Sequence, residues 1–188
     1  MNSAHLEFCA SPEWRRIVEE NIMPDALRDT DLGGDIIEIG PGPGFTTDVL
    51  RAVSTRVTVV EVDPDLAGSL KLRLADTNVE VVCGDAVALD FPDNRFSGAA
   101  SFHMLHHIPT VDYQDRAFAE LARVIKKGGI FVAADGVFSE GSQAFHAGDT
   151  YNPIDPDTLS RRLGAVGFTS IKVQLHDLGW FCTGNAPG

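Results

Sequence analysis

A chain of 188 residues, 44% hydrophobic and 22% charged, is globular rather than disordered and long enough for one substantial core. Its formal net charge of −12 works against phosphate tracking, because neutralising phosphates supplies much of the affinity for nucleic acid. No apolar run approaches the roughly 20 residues that cross a bilayer, and residues 1–10 lack the basic start and apolar stretch of an export signal.

In chain order, residues 11–27 read as a helix. Ser11-Pro12 offers an N-cap with proline in the first turn, and Trp14, Ile17, Val18 and Ile22 recur at helical spacing. A break at 31–34 precedes a short apolar strand at 35–39, a glycine-rich turn and a helix over 45–53. The β-branched run at 56–62 reads as a strand buried on both faces, and Pro64 opens a helix to residue 75. Strands are predicted at 79–82, 96–102 and 129–135, with a helix over 112–125 between the last two, closed by cations and then glycine at 126–129. Such alternation implies a doubly wound, mostly parallel sheet with helices on both faces. An irregular stretch at 136–153 and a helix over 156–166 follow. Apolar runs at 168–175 and 179–183 then read as a hairpin that adds an antiparallel strand at one edge, for seven strands in all.

One domain is expected over 1–188, with a helical segment at 1–30 and an acceptor-site loop at 136–154. The basic pairs Arg15-Arg16, Lys126-Lys127 and Arg161-Arg162 fall on expected helices and read as solvated faces, so a nucleic-acid partner is not expected. Cys9, Cys83 and Cys182 are widely spaced and form neither a disulfide framework nor a zinc motif. The expected setting is the cytoplasm, with no membrane partner, and the oligomeric state is not readable.

The chemistry concentrates at the strand ends. Glu38-Ile-Gly-Pro-Gly-Pro-Gly44 joins the first strand to a helix, where glycines admit a ligand close to the backbone and the helix start offers unpaired N–H groups. The second strand ends in Val59-Val-Glu61-Val-Asp63-Pro64. A carboxylate at that tip can accept hydrogen bonds from both hydroxyls of a ribose, a role that suits Glu61 with Val62 beside it, while Asp63 can cap the next helix. The third strand ends in Gly84-Asp85-Ala86, whose carboxylate can accept from an adenine amine. In an open parallel sheet, ligands bind at this carboxyl edge, near the point where strand order reverses.

Together these residues resemble a class I S-adenosylmethionine-dependent methyltransferase of the small-molecule group, from about residue 35 to the C-terminus. The resemblance implies the Rossmann-like methyltransferase fold and S-adenosylmethionine as cofactor. It assigns Glu38, Gly40, Pro41, Gly42 and Gly44 to the turn that cradles methionine and ribose, Glu61 to the ribose, and Asp85 with Ala86 to the adenine. Ser101-Phe-His-Met-Leu-His-His107 resembles the family's L-H-H exit from the fourth strand, which puts Phe102 beside the methionine end. Lys127-Gly-Gly129 resembles the family's K-P-G-G turn without its proline, and Ser97 replaces the usual acid after phenylalanine, a change with local effects only.

A sulfonium already activates its methyl group, so positioning and water exclusion account for much of catalysis, with a base needed only where the acceptor carries a proton. His106 and His107 are the candidate bases, and His146 and Tyr151 are candidate acceptor contacts, with Phe138 and Phe145 nearby. His103 with His106 or His107 has spacing that can ligate a metal, but no carboxylate or cysteine lies among them, so no metal is expected. The acceptor is expected to be an unidentified small molecule. The competing readings are a nicotinamide-dependent oxidoreductase, which uses G-x-G-x-x-G rather than this turn, and a non-catalytic S-adenosylmethionine-binding partner or sensor.

Overall fold

The computed structural model describes residues 2–188. Seven strands form one sheet in the order β3-β2-β1-β4-β5-β7-β6. They are β1 (Asp35–Ile39), β2 (Arg56–Glu61), β3 (Val79–Cys83), β4 (Phe96–Phe102), β5 (Ile125–Asp135), β6 (Thr169–His176) and β7 (Gly179–Asn185). The first five are parallel, and β7 runs antiparallel between β5 and the edge strand β6. The chain steps outward from β1 through β2 to β3, then returns to lay β4 on the other side of β1. That reversal opens a crevice at the carboxyl ends of β1 and β4.

Alternation along each strand supplies two cores. On one face Ile37, Ile39, Phe131 and Trp180 pack with Ala117, Phe118 and Leu121 of α6 (Val111–Val124) and with Leu159 and Leu163 of α8 (Pro156–Ala165). On the other, Ile36, Val57, Val59 and Val132 pack with Leu50 of α4 (Phe45–Val53) and with Val18, Ile22 and Met23 from the N-terminal helices. The remaining long helix, α5 (Pro64–Arg73), is N-capped by Asp63, whose carboxylate accepts from the N–H groups of Asp65 and Leu66, as its place before proline implied.

Three local departures matter for the site. The N-terminal helix expected over 11–27 is broken into α2 (Pro12–Ile17), a π-helical turn at Val18–Ile22 and α3 (Met23–Ala26), and a further helix, α1 (Ser3–Cys9), precedes it. Asn2 caps α1 by accepting from His5 N–H, a local bond with no apolar periodicity to announce it. The stretch expected to be irregular after residue 135 holds a short helix, α7 (Glu140–Phe145), started by Ser139. β5 begins at Ile125 rather than at 129, because its register against β4 shifts between Phe96 and Gly98 and absorbs the Lys-Lys-Gly-Gly segment.

The β6–β7 turn presses against the end of β5. A Cβ at Gly179, where φ is +137°, would lie 2.0 Å from the Asp135 carbonyl oxygen. Backbone must move to admit it, so Gly179→Ala is expected to lose about 2 kcal/mol of stability from strain and overpacking, read from urea denaturation. An unchanged midpoint would mean that the turn yields freely.

Candidate active site

The three strand tips converge. Gly40, Pro41, Gly42, Glu61, Val62, Gly84, Asp85, Ala86 and Phe102 line a single cavity of about 1040 Å³, and so do His106, His107, His146 and Tyr151. Gly40 and Gly42 adopt left-handed φ values of +65° and +54°, which let the turn fold back beneath the cavity. A Cβ at Gly42 would meet nothing within 4 Å, so the glycine leaves open space above the backbone where a ligand can approach. Glu61 is buried at the β2 tip. Its two carboxylate oxygens accept from the Gly42 and Asp63 N–H groups at 3.1 and 3.0 Å, which fixes the carboxylate against the glycine turn and leaves further lone pairs for a diol. Asp85 accepts from Val87 N–H at 3.1 Å at the third tip.

Two residues of the glycine motif stand off the cavity wall. Gly44 caps α4 from a φ of +90° and packs against Leu70 and Arg73. Glu38 lies under the turn, accepting hydrogen bonds from the hydroxyls of Thr46 and Thr47 in the first turn of α4. Burial pushes its carboxyl up to about 7, against the pull of those two hydroxyls and with help from the charges of Asp48 and Glu61.

At the far end of the cavity, the chain leaves β4 into a 3-10 turn at Leu105–His107. Gln114 and Asn152 clamp that turn: Gln114 Nε2 donates to the Leu105 and Asn152 carbonyls, and Asn152 N–H donates to the His106 carbonyl. Asp135 ends β5 with no exposed surface. Its carboxylate accepts from His106 N–H at 3.0 Å, from Gly136 N–H at 2.7 Å and from His106 Nδ1 at 2.5 Å. Burial works against charge on the His106 ring, but Asp135 outweighs it and holds the ring above the usual histidine range. Burial lowers His107 to about 3, with the neighbouring rings of His106 and His5 adding to the shift. His107 therefore stays neutral.

His146, from the turn after α7, brings Nε2 to 3.1 Å from His106 Nε2, and stacks on Tyr151 with ring centroids 4.4 Å apart. Phe145 also lines the cavity, whereas Phe138 lies at the surface. α1 and α2 close the cavity from the other side, bringing His5 and Trp14 onto its wall. The His103 ring also lines the cavity and meets the Trp14 ring nearly at right angles, with centroids 5.1 Å apart. Sequence reasoning missed His5, Asp135 and Asp149, the last a cavity-lining acid whose Oδ2 lies 3.5 Å from His5 Nδ1. Asp135 could have been found as one more acid at a parallel strand tip, whereas His5 and Asp149 meet only through tertiary packing.

A sheet of this order, with a glycine turn, an acid at the second strand tip and an aspartate at the third around one cavity, is the architecture of class I S-adenosylmethionine-dependent methyltransferases. Residues 37–133 match the family model described as Methyltransferase domain, and the chain belongs to that family. The family's cofactor is S-adenosylmethionine, and its chemistry is methyl transfer.

A Haloarcula marismortui protein named "Probable ribosomal RNA small subunit methyltransferase A" is 38% identical over 85 residues, spanning 41% of this chain and 30% of that protein. The chain thus matches under a third of that relative's length. Among solved structures, the DhpI–SAH complex superposes with a TM-score of 0.75 at 21% identity, covering 97% of this chain and 90% of the other. A Haloferax volcanii methyltransferase in complex with the Trm112 methyltransferase activator superposes with a TM-score of 0.76 at 15% identity, covering all of both chains. These findings correct the expectation that no nucleic acid is a partner. Relatives named for ribosomal RNA resemble half of the chain or less, and a fold neighbour is in complex with a protein activator. Net charge was the wrong guide, because it sums the whole surface and says nothing of a local groove or of a second protein that supplies one. Among the described residues, no helix is long and apolar enough to cross a membrane.

Proposed function

We propose that the chain transfers the methyl group of S-adenosylmethionine to a compact acceptor group seated beside His106, His146 and Tyr151. The observation that carries this reading is the continuity of the cavity, which runs from the Glu61 and Asp85 tips to the histidine wall under the cover of α1 and α2. In this reading Gly40, Pro41 and Gly42 take the methionine and ribose side, Glu61 and Val62 the ribose, Gly84, Asp85 and Ala86 the adenine, and Phe102 the methyl end. Glu38 and Gly44 shape the turn from beneath. The cofactor supplies an activated methyl on a cationic sulfur. The chain orients it, excludes water with the N-terminal helices, and rests the acceptor against the turn that Gln114 and Asn152 clamp. His106 and His107 belong to that wall.

Two carriers of the acceptor group are supported by different observations. A free small molecule suits the covered cavity, whose volume of about 1040 Å³ exceeds what one cofactor fills and lies at the upper end for ligand pockets. An unpaired nucleotide of ribosomal RNA is favoured by the relatives' names. Incubation with S-adenosylmethionine labelled in the methyl group, followed by separation of RNA from metabolites, distinguishes them. Label in the metabolite fraction supports the first carrier and label in small-subunit RNA the second; label in neither, with a cell extract and RNA both present, would sink the reading. Glu61→Ala is expected to weaken S-adenosylmethionine about 100-fold in calorimetry, the loss of charge-assisted hydrogen bonds to both ribose hydroxyls. Unchanged affinity would remove Glu61 from the ribose.

A further inference from the structure

Four histidines from three separate parts of the chain meet at the covered end of the cavity: His5 on α1, His106 and His107 on the β4 exit, and His146 after α7. One ring nitrogen of each lies within 4.8 Å of the others. Their hydrogen bonds settle which nitrogens carry protons. His106 Nδ1 faces the Asp135 carboxylate at 2.5 Å, His146 Nδ1 faces the Ser142 carbonyl at 2.6 Å, and His107 Nδ1 faces the Thr150 carbonyl at 3.2 Å. Each of those partners only accepts, so each Nδ1 holds the hydrogen, and the Nε2 of each neutral ring, His107 and His146, presents a lone pair. The Nε2 atoms of His106 and His146 face each other across 3.1 Å, close enough to share one cation, whether a proton on His106 or a metal ion. His107 Nε2 and His5 Nδ1 are buried without a hydrogen-bond partner among the described residues, the latter 3.5 Å from Asp149 Oδ2.

A proton on His106 serves only the contact with His146 and leaves His107 Nε2 and His5 Nδ1 without partners, whereas one metal ion meets all four rings. We propose that His5, His106, His107 and His146 bind one divalent transition-metal ion, with zinc the first choice, and that this ion fastens α1 over the cavity. Four imidazoles suit zinc and its borderline neighbours, whereas calcium and magnesium prefer oxygen. Zinc–nitrogen bonds of about 2.0–2.1 Å at tetrahedral angles set neighbouring nitrogens about 3.3 Å apart. The His106–His146 pair already has nearly that spacing, and the other nitrogen separations, all within 4.8 Å, need to close by up to about 1.5 Å. Behind the rings stand the acceptors that orient metal-binding histidines elsewhere: a carboxylate for His106 and backbone carbonyls for His107 and His146. A four-nitrogen shell is closed, so the ion's part is structural: it braces the wall on which the acceptor rests and takes no part in methyl transfer.

The test needs neither acceptor nor S-adenosylmethionine. The purified full chain, stripped with a chelator, is titrated with zinc in a calorimeter and with cobalt(II) in a visible spectrometer. One equivalent of each should bind, cobalt should give the intense visible bands of a tetrahedral site, and zinc should slow amide exchange in α1. His5→Ala, on the peripheral α1, should weaken zinc at least 10-fold and abolish the protection of α1 while circular dichroism stays native. His107→Ala should do the same to affinity. Stoichiometric binding that survives both substitutions would place the metal elsewhere and overturn the proposal, as would the absence of any stoichiometric binding by the wild-type chain.

Discussion

Asp135→Asn is expected to cost about 3–5 kcal/mol of stability, the range for removing one partner of a buried ion pair, measured by chemical denaturation with a chelator present. The carboxylate accepts three hydrogen bonds in a place that water does not reach. An asparagine has one oxygen where the carboxylate has two. With its oxygen toward His106 Nδ1 and Gly136 N–H, its amide N–H group faces the His106 backbone N–H; turned over, it faces the other two donors. Either way a buried donor loses its acceptor, and the His106 ring loses the charge that holds it above the usual histidine range. The loss falls on the β4 exit, so the 3-10 turn that forms the acceptor wall should loosen with it, seen as faster amide exchange at His106 and His107. A loss below about 1 kcal/mol would show that the pair contributes no more than an exposed one.

How much of this was legible in the sequence follows from which interactions are local. The seven strands, their parallel order and the β6–β7 hairpin come from runs of β-branched residues and from turn signals, both of which act over a few residues. Gly40, Glu61 and Asp85 were legible because each sits at a strand end, and a doubly wound sheet brings strand ends to one edge. The histidine cluster was not. His5 lies about a hundred residues before His106, and nothing in its neighbours marks it; only α1, capped by Asn2, carries it to the site. His103, whose spacing from His106 and His107 suits a ligand, stands outside the cluster for a local reason, since φ there is +50° and its ring meets Trp14. The acid behind His106 was in plain view at the end of β5, but its task appears only once β4 and β5 lie side by side.

Glu38 carries the second large expectation, and it concerns pH. The N-cap of α4 is Gly44, which offers no side chain to the helix. Glu38 reaches up from β1 and takes the Thr46 and Thr47 hydroxyls instead, so one buried carboxyl ties the first strand to the helix and sets the bend of the glycine turn. Burial raises its pKa from 4.5 to about 7. Between those values the folded chain keeps a proton that the unfolded chain has released, so folding is favoured below the unfolded value and loses that advantage as pH rises through the folded one. The whole shift is worth roughly 3 kcal/mol. Glu38→Gln keeps the shape, accepts from one threonine and donates to the other, and cannot ionise. The stability of wild type minus that of Glu38→Gln should therefore fall by about 3 kcal/mol between pH 4.5 and pH 8, most steeply below pH 7, in parallel urea titrations. The subtraction removes the titration of the other acids, which both proteins share. A difference that stays level across that window would mean that Glu38 is ionised throughout, held by the two hydroxyls and the positive end of α4, and that the strand-to-helix tie is an ion buried at full cost.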